Sequence, residues 1–153
     1  MNDFSINFDE LLSQLESDSK VTIEEKRQIH EIINKNLDEN ALTNEMDNLA
    51  KEFMGEDVNS QAEWALVSGG NRGSFVEAYK KELYKLICTD SEKYKEERLA
   101  LSTNTKNLLQ IGCTIAVSYF SVSLAVVSGV VYCILIPILK LGKNAYCSIS
   151  PHA

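Results

Sequence analysis

One long uncharged segment constrains this sequence more than any other feature. Between Asn107 and Leu139 the chain has 33 consecutive residues without Asp, Glu, Lys, Arg or His. A helix rises about 1.5 Å per residue and the hydrocarbon core of a bilayer is about 30 Å thick, so roughly 20 apolar residues suffice to cross it. The segment therefore predicts a transmembrane helix over residues 107–139.

The length of this segment leaves two arrangements open. A single helix would extend roughly 50 Å, which exceeds one bilayer core but falls short of two crossings joined by a turn. The middle, Ser121–Ala125, contains neither Gly nor Pro. This favours one tilted helix, bent near Gly129 or Pro137, over a helical hairpin.

The first hundred residues predict a small all-α bundle. Apolar residues recur there at steps of three and four, which is the helical period. Capping boxes begin at Thr22, Ser60 and Ser74, each followed three residues later by Glu. The predicted helices are Phe8–Glu16, Ile23–Asp38, Asn44–Met54, Gln61–Val67, Phe75–Ile87, and a sixth that begins at Ser91 and continues into the membrane.

Charge and length divide the chain into four parts. Residues 1–90 form a soluble acidic helical module, 91–106 a connecting helix, 107–139 the transmembrane helix and 140–153 a short tail. Residues 1–10 lack the basic and apolar regions of a secretory signal. Four basic residues shortly precede the apolar segment and two follow it, which places the module in the cytoplasm, at an inner or plasma membrane.

Small and hydroxyl-bearing residues form a stripe within the predicted membrane helix. They follow one another at steps of four and three, the spacing of one helix face. Such a stripe can pack against further copies of the chain in a closed seam or line a pore, and both alternatives stay open. A third interpretation is that these hydroxyls bond only to backbone carbonyls of their own helix. The stripe comprises Thr114, Ser118, Ser121, Ala125, Ser128 and Tyr132.

A glycine-rich loop at residues 68–74 leads into a predicted helix. Amides at a helix N-terminus attract anions, and the Arg72 guanidinium suits a phosphate group. The loop matches no nucleotide-binding fingerprint, and a plain connector is the competing interpretation. The net charge of residues 1–90 is negative, which opposes general nucleic-acid binding. The candidate anion-binding residues are Gly69, Gly70, Arg72, Gly73, Ser74, Lys80 and Lys81.

Catalysis has no support in the sequence. Neither His30 nor His152 has a partner in a catalytic or metal-ligating pattern, so no enzyme, metal site or cofactor is expected. The four cysteines form no CxxC pair, and two lie inside the apolar segment. We expect four free thiols.

The arrangement of an acidic helical module before an apolar C-terminal segment resembles the compact membrane effectors of bacterial antiphage defence, in particular the membrane effector of the Hailong system. The resemblance covers the architecture and the last third of the chain, KNLLQIGCTIAVSYFSVSLAVVSGVVYCILIPILKLGKNAYC. It implies a homo-oligomeric channel that is held shut by a short DNA oligomer on the soluble part and opens when that oligomer is lost.

Two functions compete on these grounds. The first is a homo-oligomeric membrane effector or ion channel gated through its cytosolic helices. Its expected partners are lipid, further copies of the chain, an anionic nucleotide or oligonucleotide, and a regulatory protein. A tetramer is the candidate copy number. The second is a membrane-anchored adaptor whose helical module binds another protein. The hydroxyl stripe favours the first, because a simple anchor does not need it.

Overall fold

The computed structural model describes residues 8–55, 75–100, 105–120 and 123–149. All regular structure within these residues is helical, so the predicted all-α class is confirmed. The elements are α1 Phe8–Ser17, α2 Ile23–Ile33, α3 Glu39–Phe53, α4 Phe75–Cys88, a 3-10 turn Glu92–Tyr94, α5 Lys95–Ala100, α6 Thr105–Phe120, α7 Leu124–Leu141 and α8 Lys143–Ile149.

The capping box predicted at Thr22 is confirmed. The Thr22 hydroxyl accepts a hydrogen bond from the Glu25 amide at 3.0 Å, and the Glu25 carboxylate accepts one from the Thr22 amide at 3.1 Å. Two amides at the start of α2 that no helical carbonyl could reach are thereby satisfied. The other two predicted boxes involve Ser60 and Ser74, and these residues, like the predicted helix Gln61–Val67, lie outside the described residues.

The predicted boundary between the second and third helices is wrong. Helix α2 ends at Ile33 rather than Asp38, and Asn36 then adopts a φ of 61°, a left-handed conformation that asparagine tolerates well. Asp38 instead caps α3 and accepts a hydrogen bond from the Ala41 amide at 2.9 Å. Helix α3 therefore begins at Glu39, five residues before the predicted start.

The uncharged segment is not one helix, so the prediction of a continuous helix over residues 107–139 is wrong. It contains α6 and α7, which pack against each other. Gly112 of α6 lies beside Val131 and Leu135 of α7, so the two helices run antiparallel. We call this pair the hairpin. In the part of the chain that the structure describes, no helix has both the length and the apolar character required to cross a membrane.

Helix α7 is the centre of the fold. Helices α1, α2, α3, α6 and α8 all contact it, and every residue from Val127 to Ile138 is buried. A helix that is apolar on all sides needs neighbours on all sides, because water would otherwise contact one of its faces. In this chain the neighbours are three amphipathic helices of the acidic N-terminal region together with α6 and α8.

We call helices α1 to α4 the sheath, because they present apolar stripes to the interior and charged residues to the surface. The apolar residues that recur at steps of three and four in these helices are largely buried, as expected from that spacing. Those found in the core include Leu11, Leu15, Ile29, Ile32, Met46, Leu49, Ala50, Phe75, Tyr79, Leu83, Leu86 and Ile87.

The predicted sixth helix begins where expected but in a different form. The Ser91 side chain accepts a hydrogen bond from the Lys93 amide at 3.2 Å and caps the 3-10 turn, which leads into α5. Residues 101–104 lie outside the described residues. The predicted continuity between this helix and the apolar segment therefore falls outside the described part of the chain.

Candidate functional site

The predicted hydroxyl stripe does not form one face of one helix. Thr114 and Ser118 lie on α6 and are exposed, whereas Ala125 is an exposed residue near the start of α7. Ser128 and Tyr132 are buried within α7. The remaining member, Ser121, lies outside the described residues. The structure thus separates the stripe into an α6 part at the surface and an α7 part in the core.

The two buried hydroxyls of α7 have different roles. Ser128 donates to the carbonyl of Leu124 at 2.7 Å, a bond within its own helix. Tyr132 instead donates to Oδ2 of Asp18 at 2.9 Å, although the two residues are 114 positions apart. This bond joins the centre of the hairpin to the end of the sheath helix α1.

Asp18 is held as a carboxylate at this contact. Its side chain is 11% exposed and lies 3.2 Å from the Lys20 ammonium nitrogen, while the Lys20 amide donates to it at 3.0 Å. Burial disfavours the charged form, but the donors from Lys20 and Tyr132 outweigh burial and lower the pKa of Asp18 below its ordinary value. The sheath therefore presents a fixed negative charge to the Tyr132 hydroxyl.

A second hydrogen bond joins the sheath to α6. The Tyr79 hydroxyl of α4 donates to the carbonyl of Gly112 at 2.8 Å, and Tyr79 is fully buried. Burial raises the pKa of Tyr79 well above its ordinary value, so the phenol stays a neutral donor. A Cβ atom at Gly112 would lie 3.0 Å from the Tyr79 hydroxyl oxygen. Glycine is what permits this close approach.

Two ion pairs connect α3 with α4. Lys80 pairs with Asp47, and these side chains are only 10% and 14% exposed, while Lys51 pairs with Glu77 at 3.0 Å. Burial raises the pKa of Asp47 despite the opposing charge of Lys80. Burial acts in the same sense on Glu77, but the Lys51 hydrogen bond and the neighbouring lysines outweigh it and lower the pKa of that group. As the pH falls, the contribution of Asp47 to the free energy of unfolding therefore rises, whereas that of Glu77 falls.

The predicted anion site is not assembled in the described residues. Gly69, Gly70, Arg72, Gly73 and Ser74 all lie outside them. Lys80 was predicted to face an anion, but its ammonium is already paired with Asp47, because α3 packs against that side of α4. An anion at Lys80 would have to compete with Asp47, and the anion-binding role of Lys80 stays a prediction. Lys81 is exposed on the surface of α4.

The C-terminal end of α4 is fixed by contacts that the sequence interpretation missed. Arg98 of α5 donates from Nε to the Leu86 carbonyl at 2.8 Å and from a terminal nitrogen to the Lys85 carbonyl at 3.0 Å. The last carbonyls of a helix have no helical partner, so a guanidinium that reaches them stabilises the end. No local motif signals this contact, since Arg98 is separated from these carbonyls by the 3-10 turn.

A disulfide joins Cys88 to Cys147, with 5.8 Å between their Cα atoms. The prediction of four free thiols is therefore wrong, and the free cysteines are Cys113 and Cys133. Spacing along the sequence could not reveal the pair, because its members are 59 residues apart and meet only through the packing of α4 against α8.

A cleft of about 500 Å³ opens between the end of α1 and the hairpin. Its apolar wall comes from α6 and the start of α7, and its polar edge from the sheath and from the exposed hydroxyls of α6. The lining residues are Gln14, Asp18, Lys20, Leu109, Gln110, Cys113, Thr114, Val117, Ser118 and Leu124.

The contacts that stand out in the described residues are hydrogen bonds between the sheath and the hairpin. Across the four described ranges, no group of His, Cys, Asp and Glu side chains is placed to hold a metal ion. The distinctive contacts instead join the sheath to the hairpin, at Tyr132 with Asp18 and at Tyr79 with Gly112. Comparisons of the chain with family models, with curated proteins and with solved structures found no match.

Proposed function

We propose that this protein is a gated membrane effector. In the closed form the sheath encloses the hairpin, and a trigger that acts on the sheath frees the hairpin to enter a bilayer, where several copies assemble into a channel. The site of action is an inner or plasma membrane with the N-terminal helices on the cytoplasmic side, and antiphage defence is the setting that the sequence resemblance suggests.

The observation that carries the proposal is the burial of α7 on every side. A helix that is apolar all round is stable either in the core of a protein or in lipid. From Val127 to Ile138 this helix contacts protein on all sides, and the same surface is compatible with hydrocarbon. Exchanging the sheath for lipid would therefore leave no apolar residue of this stretch in water.

Release would break the apolar packing of α7 against the sheath and also polar contacts across the same boundary. They include the hydrogen bond from Tyr132 to Asp18 and the one from Tyr79 to Gly112. Insertion also requires a change in the hairpin itself. Its helices have 16 and 18 residues, about 24 and 27 Å, and a bilayer core is about 30 Å thick. The helices would lengthen, or the bilayer would thin around them.

In the open form, the exposed hydroxyls of α6 would contact other helices or water. Thr114 and Ser118 are exposed on α6, and in lipid such groups bond across to another helix or contact water in a pore. Assembly of several copies, a tetramer among the candidates, would supply the neighbouring helices. An anionic nucleotide or oligonucleotide, or a regulatory protein, would act as the trigger through the sheath.

The test compares ion flux through liposomes for three proteins at pH 7, each with the Cys88–Cys147 disulfide reduced by dithiothreitol. Tyr132→Phe removes the hydroxyl that joins the hairpin to the sheath. A hydrogen bond to a charged group contributes about 1.5 kcal/mol or more, so opening should become about tenfold more favourable and flux should rise accordingly over wild type. Ser17→Ala is the control, because that hydroxyl lies outside the hairpin and bonds only to carbonyls of α1, and it should leave flux near the wild-type level.

The same preparations distinguish the competing function. If neither wild type nor Tyr132→Phe passes ions into vesicles, at neutral pH or in acid, the channel is refuted and the membrane-anchored adaptor becomes the better interpretation. The mass of the complex extracted from the vesicles in detergent measures copy number, and a monomer there would also count against an assembled channel.

A further inference from the structure

The disulfide between Cys88 and Cys147 lies where it can control the hairpin. Cys88 is the last residue of α4, and Cys147 belongs to α8, which follows α7 after Gly142. The two cysteines are 59 positions apart in the sequence, and the chain between them contains the whole hairpin. We propose that this bond is a redox latch, which keeps the hairpin in the sheath while oxidised and permits its release when a dithiol reduces it. This inference rests on the proposed function.

The latch attaches the hairpin to a fixed part of the sheath. Helix α4 is bonded to α6 through Tyr79 and Gly112, and its last turn is held by Arg98. While the bond is intact, the Cα atoms of Cys88 and Cys147 stay 5.8 Å apart. The C-terminal end of the hairpin therefore cannot leave α4, whatever happens to the noncovalent contacts elsewhere.

The bond is placed to react. Both cysteines are only half-buried, and thiol–disulfide exchange requires that a thiolate reach one of the two sulfurs. The thiolate of a cellular dithiol attacks one sulfur, the other leaves as a thiolate that takes up a proton, and the second thiol of the reductant resolves the mixed disulfide. The products are two protein thiols and one oxidised reductant. Two electrons pass from the dithiol to the protein.

Noncovalent contacts still hold the fold after reduction, so reduction permits release of the hairpin but does not force it. Tyr146, the neighbour of Cys147, stays packed in the core, so reduction removes the covalent restraint but not the apolar contact of α8. A reducing compartment would keep the protein ready to open, and an oxidising one would keep it closed.

The experiment uses the full-length protein, air-oxidised or treated with dithiothreitol. Under denaturing conditions the number of free thiols should rise from two to four per chain on reduction, since Cys113 and Cys133 are already free. Reduction should lower the melting temperature by about 10 °C, as expected for opening a loop of this length. Four free thiols in the oxidised sample would overturn the proposal at once.

Flux through liposomes then tests the latch itself. Reduced wild type should release an entrapped dye at least tenfold faster than oxidised wild type. The double variant Cys88→Ser and Cys147→Ser should behave like reduced wild type, and dithiothreitol should not accelerate it further. If oxidised and reduced wild type both release dye, and at the same rate, the latch is refuted while the channel stands.

A readout without a membrane separates the two proposals. Amide hydrogen exchange in α8 and in the last turns of α7 should increase on reduction, because the restraint on these residues is lost. If exchange increases but no sample releases dye, the latch stands and the channel fails. If exchange in these helices is unchanged by reduction, the disulfide does not restrain the hairpin and the latch is wrong.

Discussion

The hydrogen bond between Tyr132 and Asp18 offers the sharpest test of the fold. Replacing Tyr132 by Phe removes one hydroxyl from a fully buried ring and leaves an Asp18 side chain that is 11% exposed. Hydrogen bonds to charged groups contribute about 1.5 to 3 kcal/mol. Asp18 keeps its two donors from Lys20, so we expect the lower end of that range at pH 7.

The pH dependence of this loss follows from the lowered pKa of Asp18. A carboxyl whose pKa is depressed by folding stabilises the protein above its unfolded pKa, about 3.9 for Asp, and this contribution disappears as the pH falls through the folded value. Protonated Asp18 no longer offers Tyr132 a charged acceptor. The difference in free energy of unfolding between wild type and Tyr132→Phe should therefore shrink in acid.

Denaturant unfolding of the purified protein at neutral pH and in acid measures both quantities. Asp18→Asn and the double variant complete a thermodynamic cycle, and the coupling between the two sites should be about 1 kcal/mol at pH 7. Additive single effects, within about 0.5 kcal/mol, would mean that the side chains do not touch. A loss of the same size at both pH values would show that Tyr132 does not bond to an ionised carboxylate.

Three further substitutions test individual contacts by denaturant unfolding. Gly112→Ala places a methyl group 3.0 Å from the Tyr79 hydroxyl oxygen and should lower the free energy of unfolding by about 1 to 3 kcal/mol. An unchanged denaturant midpoint would contradict the close packing of α4 and α6. Thr22→Ala removes the cap of α2 and should cost about 1 kcal/mol, with faster amide exchange in the first turn as the second readout. Asp47→Asn leaves the nearly buried Lys80 ammonium without its partner and should cost about 3 kcal/mol at neutral pH. Because the folded protein binds the Asp47 proton more tightly than the unfolded chain does, wild type gains stability relative to the variant as the pH falls. The deficit should therefore widen in acid, and a deficit that narrows there would contradict the raised pKa of Asp47.

Local chemistry made part of the fold predictable. The start of α2 could be predicted because Thr22 supplies a hydroxyl and Glu25, three residues later, a carboxylate. This capping box is complete within four residues of sequence. The end of α2 was missed because its apolar pattern continues to Leu37, and the left-handed Asn36 interrupts the helix without a glycine. The signal that α2 ends early was available in two residues: Asn36, a residue type that tolerates the left-handed conformation, and Asp38, a residue type that caps the next helix.

The hairpin could not be predicted in the same way. Ser121–Ala125 contains no residue that must break a helix, and propensity alone leaves a helix through this point plausible. The Ser123 carbonyl accepts the first hydrogen bond of α7, from Val127 at 3.1 Å. What favours two helices is the packing of α6 on α7 and of the sheath around both, and tertiary contacts of this kind override local preference.

The contacts that define the candidate site are equally distant in sequence. Tyr132 meets Asp18 across 114 residues, and Cys88 meets Cys147 across 59. The sequence indicated that Tyr132 had a role in helix packing but could not supply its partner. A hydrogen bond to Asp18 requires the whole sheath to be in place, which no spacing rule describes.

The central position of α7 has a consequence for how the protein is made. Helix α3 packs chiefly on α7, yet α3 ends at Phe53 and α7 ends at Leu141. At about 5 to 20 residues per second, a ribosome needs roughly 4 to 18 s to synthesise the chain between these points. During that interval the parts of the N-terminal helices that pack on α7 in the finished fold have no α7 to cover them. A nascent chain of this design would depend on a chaperone, or on delay in helix formation itself, until its last third has emerged.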